Sequence, residues 1–212
     1  MSRSERRTAV SANPRLPRWH GAGALVFLGT LVVATLLTWA HATRAHDEGL
    51  PVALEADLLT RVIAYDRNFQ RRAGDVARFL IFVKPGNADS RRVALQMRST
   101  LGLIGRVGGL PHEEIIVEYT TVKAFVETCA AKRAAVAYFG PGFYGDIPAI
   151  RTALEDHDIL TVGSVPEYVP LGIVLGFDVV AGSPKLLLHL TQAKRQHVSL
   201  PAELLKIMRI FE

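Results

Sequence analysis

The stretch Ala77 to Val83 reads ARFLIFV and carries five large apolar side chains in unbroken succession, Phe79 to Val83. A strand with one wet face alternates apolar and polar residues; an unbroken apolar run has to be covered on both faces. The run is also too short for a buried helix, so the chain must supply layers above and below it. It does so in alternation. Apolar, β-prone runs recur at EIIVEYT (114–120), AAVAYF (134–139) and DILTVGS (158–164), and between them lie SRRVALQMRSTLGLI, VKAFVETCAAK and IPAIRTALEDH, each with helical spacing. Strands alternating with helices make an α/β fold: an open, mostly parallel sheet with helices on both faces, of flavodoxin-like or Rossmann-like type. An amphipathic helix, VALEADLLTRVIAY, opens the domain with Leu54, Leu58, Leu59 and Val62 on one face and Glu55, Thr60 and Arg61 on another. The basic turn NFQRRAGD follows it, and Asn87, Asp89 or Ser90 caps the helix after the first strand.

Beyond residue 172 the rhythm changes. GIVLGFDVV, the turn AGSPK and LLLHL predict an antiparallel strand pair, and Ser199 with Pro201 predicts a terminal helix running through Phe211. Leu204, Leu205, Ile207, Met208, Ile210 and Phe211 exceed what one buried stripe requires, which points to a homodimer or another protein contact there.

The first 42 residues are of another kind. Five arginines against one acid precede an uncharged stretch from Gly21 to Trp39, centred on LVFLGTLVVATLL, and Ala40-His41-Ala42 follows. This is an export signal. Its 13-residue core fits a cleaved signal peptide, and the whole run 21–39 is long enough for an uncleaved membrane anchor; both readings carry everything after residue 42 across the membrane. Residues 43–51 form a linker and 52–212 one domain. The chain's net charge of +5 comes mostly from that leader, leaving 20 basic against 19 acidic side chains in the remainder. Nucleic acid as a partner lacks the concentrated basic face it needs. In an oxidising compartment the lone Cys129 forms no internal bridge; its place in a helical pattern makes it a small apolar side chain, an intermolecular bridge or reactive thiol being the other readings.

Residues 139–146, FGPGFYGD, contain G-x-G-x-x-G after a strand and before a helix, as a dinucleotide loop does. Pro141 removes a backbone donor, Asp146 sets a negative charge where the phosphate would sit, and the next strand ends in Thr161-Val162-Gly163-Ser164 without an acid for a ribose. Turn glycines are the reading that survives, and no cofactor is expected. The location keeps one use: ligands of open α/β sheets lie outside the strand carboxyl ends, which would gather Lys84, Asn87, Ser90, Gly140, Tyr144 and Asp146 into a small-molecule crevice. The histidines show no metal-ligand spacing, and neither G-x-S-x-G nor another nucleophile pattern occurs, so neither metal nor catalytic residues are expected. In AYDRNFQRRAGD, Tyr65, Asp66, Arg67 and Phe69 combine aromatic and charged side chains in the manner of interface anchors; the other reading is a helix-end turn with Phe69 tucked into the core.

Three stretches carry a family resemblance. They are Ile63-Ala64-Tyr65-Asp66-Arg67-Asn68-Phe69; Ala137 to Gly142 leading to Ile147-Pro148-Ala149-Ile150 and Leu160-Thr161-Val162-Gly163; and the tail from Val174-Leu175-Gly176-Phe177 through Leu188-His189-Leu190, Ala193, Ser199 and Leu204-Leu205. In these the chain resembles the YfiR (HmsC-like) family of small exported proteins. The resemblance implies a periplasmic, non-enzymatic regulator that binds the periplasmic part of an inner-membrane signalling protein of diguanylate cyclase type and represses it, lowering cyclic di-GMP. A ligand-binding module using the strand-end loops is the alternative. The chain departs from the family pattern at His189, where asparagine is common, at His197, where glycine is usual, and in having one cysteine where better-known members have pairs.

Overall fold

The computed structural model describes residues 49–212; the expected export segment 1–42 and most of the linker lie outside them. The described chain opens with helix α1 (Val52–Tyr65) and the short α2 (Phe69–Ala73), then β1 (Ala77–Val83) and α3 (Ala88–Leu101). Strand β2 (His112–Glu118), α4 (Val122–Ala131), β3 (Val136–Phe139), α5 (Ile147–Ala153) and β4 (Leu160–Gly163) continue the alternation. A single turn, α6 (Tyr168–Leu171), leads to β5 (Leu175–Val180), β6 (Ser183–His189), α7 (Leu190–Arg195), α8 (Ala202–Leu205) and β7 (Arg209–Phe211). The seven strands form one sheet in the order β2-β1-β3-β4-β5-β6-β7. Strands β1 to β5 run parallel, β6 returns antiparallel to β5, and β7 lies parallel to β6.

The order reverses between β1 and β3, which puts the switch point of the doubly wound sheet where Lys84 and Gly140 leave those strands. ARFLIFV serves both faces, as its unbroken apolarity requires. Phe79, Ile81 and Val83 join one core layer, with Leu59, Val62 and Ile63 of α1, Val93, Ala94 and Met97 of α3, and Val198 and Met208 of the C-terminal segment. Leu80 and Phe82 join the other, with Phe125 of α4, Phe139, Phe143 and Ile150 of α5. Asn87 is the residue that caps α3, its Oδ1 accepting from the Ser90 amide at 2.8 Å, and Thr121 caps α4 in the same way. Among the described residues no helix is long and apolar enough to cross a membrane.

Three expectations change. The basic turn NFQRRAGD forms a helix, α2, closed by Gly74 at φ 66°. The tail is not one helix through Phe211: α8 stops after Leu205, and Arg209–Phe211 pairs with Leu187–His189. Leu204, Leu205 and Met208 mimic a helical stripe and do pack on the core. Arg209-Ile210-Phe211, however, meets the open edge of β6, where it gains ladder hydrogen bonds that an exposed helical turn would lack. The third change is Glu55, which is not on the wet face of α1 but buried at 2% exposure. It stands four and seven residues before Leu59 and Val62, so its own spacing aims it at the sheet.

Candidate functional site

Five of the six crevice residues, Lys84, Asn87, Ser90, Gly140 and Asp146, gather at the carboxyl ends of β1 and β3, while Tyr144 faces solvent. Lys84 Nζ donates to Asp146 Oδ2 at 2.5 Å and lies over the rings of Tyr119 and Phe143, 5.2 and 5.7 Å from their centroids. The Lys84 amide donates to Ser90 Oγ at 2.9 Å. Gly140 packs on Ser90, and Gly142, at φ 97°, leaves no room for a Cβ beside the Asn87 amide. Tyr168 braces the loop from both sides: the Phe143 N–H donates to Tyr168 Oη at 2.8 Å, and the Tyr168 hydroxyl donates to the Gly140 carbonyl at 3.3 Å. Tyr144 alone of the six is exposed. Burial, reinforced by Asp146, pushes the Tyr119 hydroxyl up to about 12 and raises that of Tyr168. The glycines therefore serve a tight loop against the N-terminus of α3.

The Tyr65–Phe69 group splits. Phe69 is fully buried, and its ring lies where a Cβ on Gly108 would fall. Asp66 is buried too, and it ties distant segments together: Oδ2 accepts from Arg72 Nη1 at 2.7 Å, and Oδ1 from the amides of Ser199 at 2.9 Å and Asn68 at 3.1 Å. Arg72 continues the knot to the His197 carbonyl and to Asp158 Oδ1, while Asn68 Nδ2 donates to the same His197 carbonyl at 2.8 Å. Of the four candidate contact residues, Tyr65 and Arg67 remain at the surface. The knot also accounts for His197, whose carbonyl takes two donors from a backbone at φ 54°, a conformation natural to glycine. His189 keeps the role that asparagine would have: its Nδ1 caps α7 by accepting from the Gln192 amide at 3.4 Å. Burial, with Arg151 and Arg195 nearby, lowers its tendency to protonate.

Sequence reasoning missed a third cluster. Tyr138, on β3, donates its hydroxyl to Glu55 Oε2 at 2.6 Å inside the layer between α1 and the sheet. Ser164 approaches the same hydroxyl from the end of β4, with its Oγ buried and otherwise unpartnered. Burial pushes the Glu55 carboxyl up to about 7, the Tyr138 bond pulling it partly back. Cys129 is buried and its thiol is pushed up to about 12, which removes the thiolate that reactive chemistry needs. Among the described residues no three His, Cys, Asp or Glu side chains gather as metal ligands. Large apolar groups stay exposed at Leu103, at Val179 and Val180 on the β5–β6 hairpin, and at Ile207 and Ile210.

A family model described as YfiR/HmsC-like matches residues 110–209. The match takes in β2 through β6 and ends at the first residue of β7, so it includes the loop after β3, while the Tyr65–Phe69 group and Lys84, Asn87 and Ser90 precede it. No curated protein matches the chain. Among solved structures, a conserved domain protein from Vibrio cholerae superposes with a TM-score of 0.58 at 14% identity, covering 78% of this chain. An ABC domain from Streptococcus pneumonia, solved in complex with L-Trp, superposes with a TM-score of 0.53 at 10% identity over 74% of this chain. The chain spans 61% and 60% of the lengths of those two proteins. At such identities the likeness is one of fold.

Proposed function

Because residues 110–209 match the YfiR/HmsC-like family model, we propose that this chain is an exported, non-enzymatic regulator that binds the periplasmic part of an inner-membrane signalling protein of diguanylate cyclase type and represses it. The family match carries the reading. Two features of the molecule support it. Two polar clusters are spent on holding the fold: the strand-end group by the Lys84–Asp146 pair and the Asp66 knot by backbone amides. Surface aromatic and aliphatic groups are present instead, Tyr65 beside Arg67 and Val179 with Val180 among them, as a protein contact requires. Residues 1–42 act in this reading as the export segment.

The test is cellular cyclic di-GMP in a deletion strain, complemented by the full chain or by a form lacking residues 1–42. A rise on deletion, reversed by the exported form alone, is the expected result; an unchanged level, with no membrane signalling protein captured by periplasmic crosslinking, refutes the reading. The small-ligand alternative draws on the neighbour solved with L-Trp. Opposed to it is the Lys84 side chain lying in the crevice a ligand would fill. A thermal-shift screen with amino acids separates the two, since a ligand bound by the folded state alone must raise the melting point.

A further inference from the structure

We propose that Glu55 is a proton-operated latch, holding α1 on the sheet while protonated and loosening the first turns of that helix when ionised. The hydrogen bond between Tyr138 and Glu55 is the one side-chain bond that α1 makes to another element among the described residues. The core layer that α1 joins is apolar around this bond: α3 contributes Val93, Ala94 and Met97 to it, β1 Phe79, Ile81 and Val83, and β4 Leu160 and Val162. Tyr138 is the titratable group against the carboxyl, and no described charged side chain perturbs it.

The two protonation states use the cluster differently. The Tyr138 hydroxyl donates to Glu55 Oε2 in the structure; a protonated Glu55 would reverse this bond, donating its O–H to the Tyr138 oxygen and turning the Tyr138 hydroxyl to Ser164 Oγ, which has no other partner. An ionised Glu55 takes the Tyr138 hydroxyl proton as a hydrogen bond, and the Ser164 hydroxyl donates to the Tyr138 oxygen. The second arrangement leaves a full negative charge in an apolar layer with one donor, a costly state unless water reaches it. Glu55 stands in the first turn of α1, so the shortest route to water is release of Val52 to Leu59 rather than of the whole helix. The helix N-terminus favours the ionised form slightly, but burial dominates and places the transition near pH 7. Pro51 precedes this turn directly, so the latch sits where the linker enters the domain. The latch belongs to the domain alone; its failure leaves the repressor reading untouched, and the reverse.

The test is hydrogen exchange on the full chain in non-ionic detergent at pH 5.5 and 8.5, corrected for intrinsic rates. With the carboxyl at about 7 in the closed state and 4.5 in the open one, opening of α1 should increase about thirtyfold between these conditions, relative to amides of β1. Glu55→Gln, which stays neutral, should show no such change. Constant α1 protection in the native chain, or an equal loss in Glu55→Gln, overturns the proposal. A carboxyl-carbon NMR titration of the native chain gives a reading independent of the variant's folding: a Glu55 midpoint near 7 supports the latch, and one below about 5.5 overturns it.

Discussion

Replacing Asp66 by alanine distinguishes a structural knot from a partner contact. In the folded chain this carboxylate accepts three hydrogen bonds, from Arg72 Nη1 and from the amides of Ser199 and Asn68, at 1% side-chain exposure. Arg72 is buried just as deeply and has one further carboxylate, that of Asp158, whose side chain is 30% exposed. Asp66→Ala therefore strands a buried guanidinium with a weaker partner and leaves two amides unpaired. Breaking a buried pair from one side costs about 3–5 kcal/mol. Asp66→Asn keeps the shape and an acceptor oxygen but loses the charge, and should cost about 1.5–3 kcal/mol, the worth of hydrogen bonds to a charged group. Asp158→Ala, acting on the wetter end of the knot, should cost about 1 kcal/mol. Urea unfolding followed by far-ultraviolet circular dichroism reads all three. A loss under 1 kcal/mol for Asp66→Ala, together with lost repression, would refute the argument and return Asp66 to the surface as a contact residue.

Three further outcomes follow from the geometry. His197→Gly should stabilise the fold by up to about 1 kcal/mol, because glycine adopts φ 54° without a Cβ penalty and the carbonyl that Asn68 and Arg72 use is kept; a lower melting temperature would contradict this. Gly142→Ala should destabilise by about 1–3 kcal/mol, since φ is 97° and the new Cβ would fall 2.6 Å from Asn87 Nδ2, and loss of the α3 cap should appear as faster exchange at the Ser90 amide. For Glu55 the folded value lies above the unfolded one, so its contribution, about 3 kcal/mol, is fully present below pH 4.5 and lost as pH rises through 7. Glu55→Gln should therefore gain stability relative to the native chain at pH 8 and not at pH 4.5, measured by denaturant midpoints at both.

The central sheet was legible because its signal is local and redundant. Phe79 to Val83 demand cover on both faces whatever surrounds them, and the helices that supply it follow each strand within a few residues. β7 lacks that property. A three-residue strand forms only because β6 offers an open edge beside it, and nothing within Arg209-Ile210-Phe211 announces that edge; Leu204, Leu205 and Met208 meanwhile imitate a helical stripe and bury much as one would. The Asp66 knot was illegible for a related reason: its partners Ser199 and Asp158 lie 133 residues from Asp66 and 86 from Arg72, so Tyr65, Asp66, Arg67 and Phe69 read as interface anchors or as a helix-end turn with Phe69 in the core until the chain is folded.

Glu55 is a different case, since its position was readable. Its place four and seven residues before Leu59 and Val62 puts it on the inner face, and charge alone argued for the outer one. Residue type and spacing gave opposite answers, and spacing prevailed because the layers packed against α1 fix which face points inward, while one tyrosine hydroxyl in that layer offsets part of the cost of burial. A sequence in which these two rules disagree marks a residue held in the less comfortable of its two states. For the exported domain proposed above, a carboxyl that changes charge near neutrality in the first turn of α1 would report the pH outside to whatever the domain contacts, and this would give the conflict at Glu55 a use that an apolar residue in its place would lack.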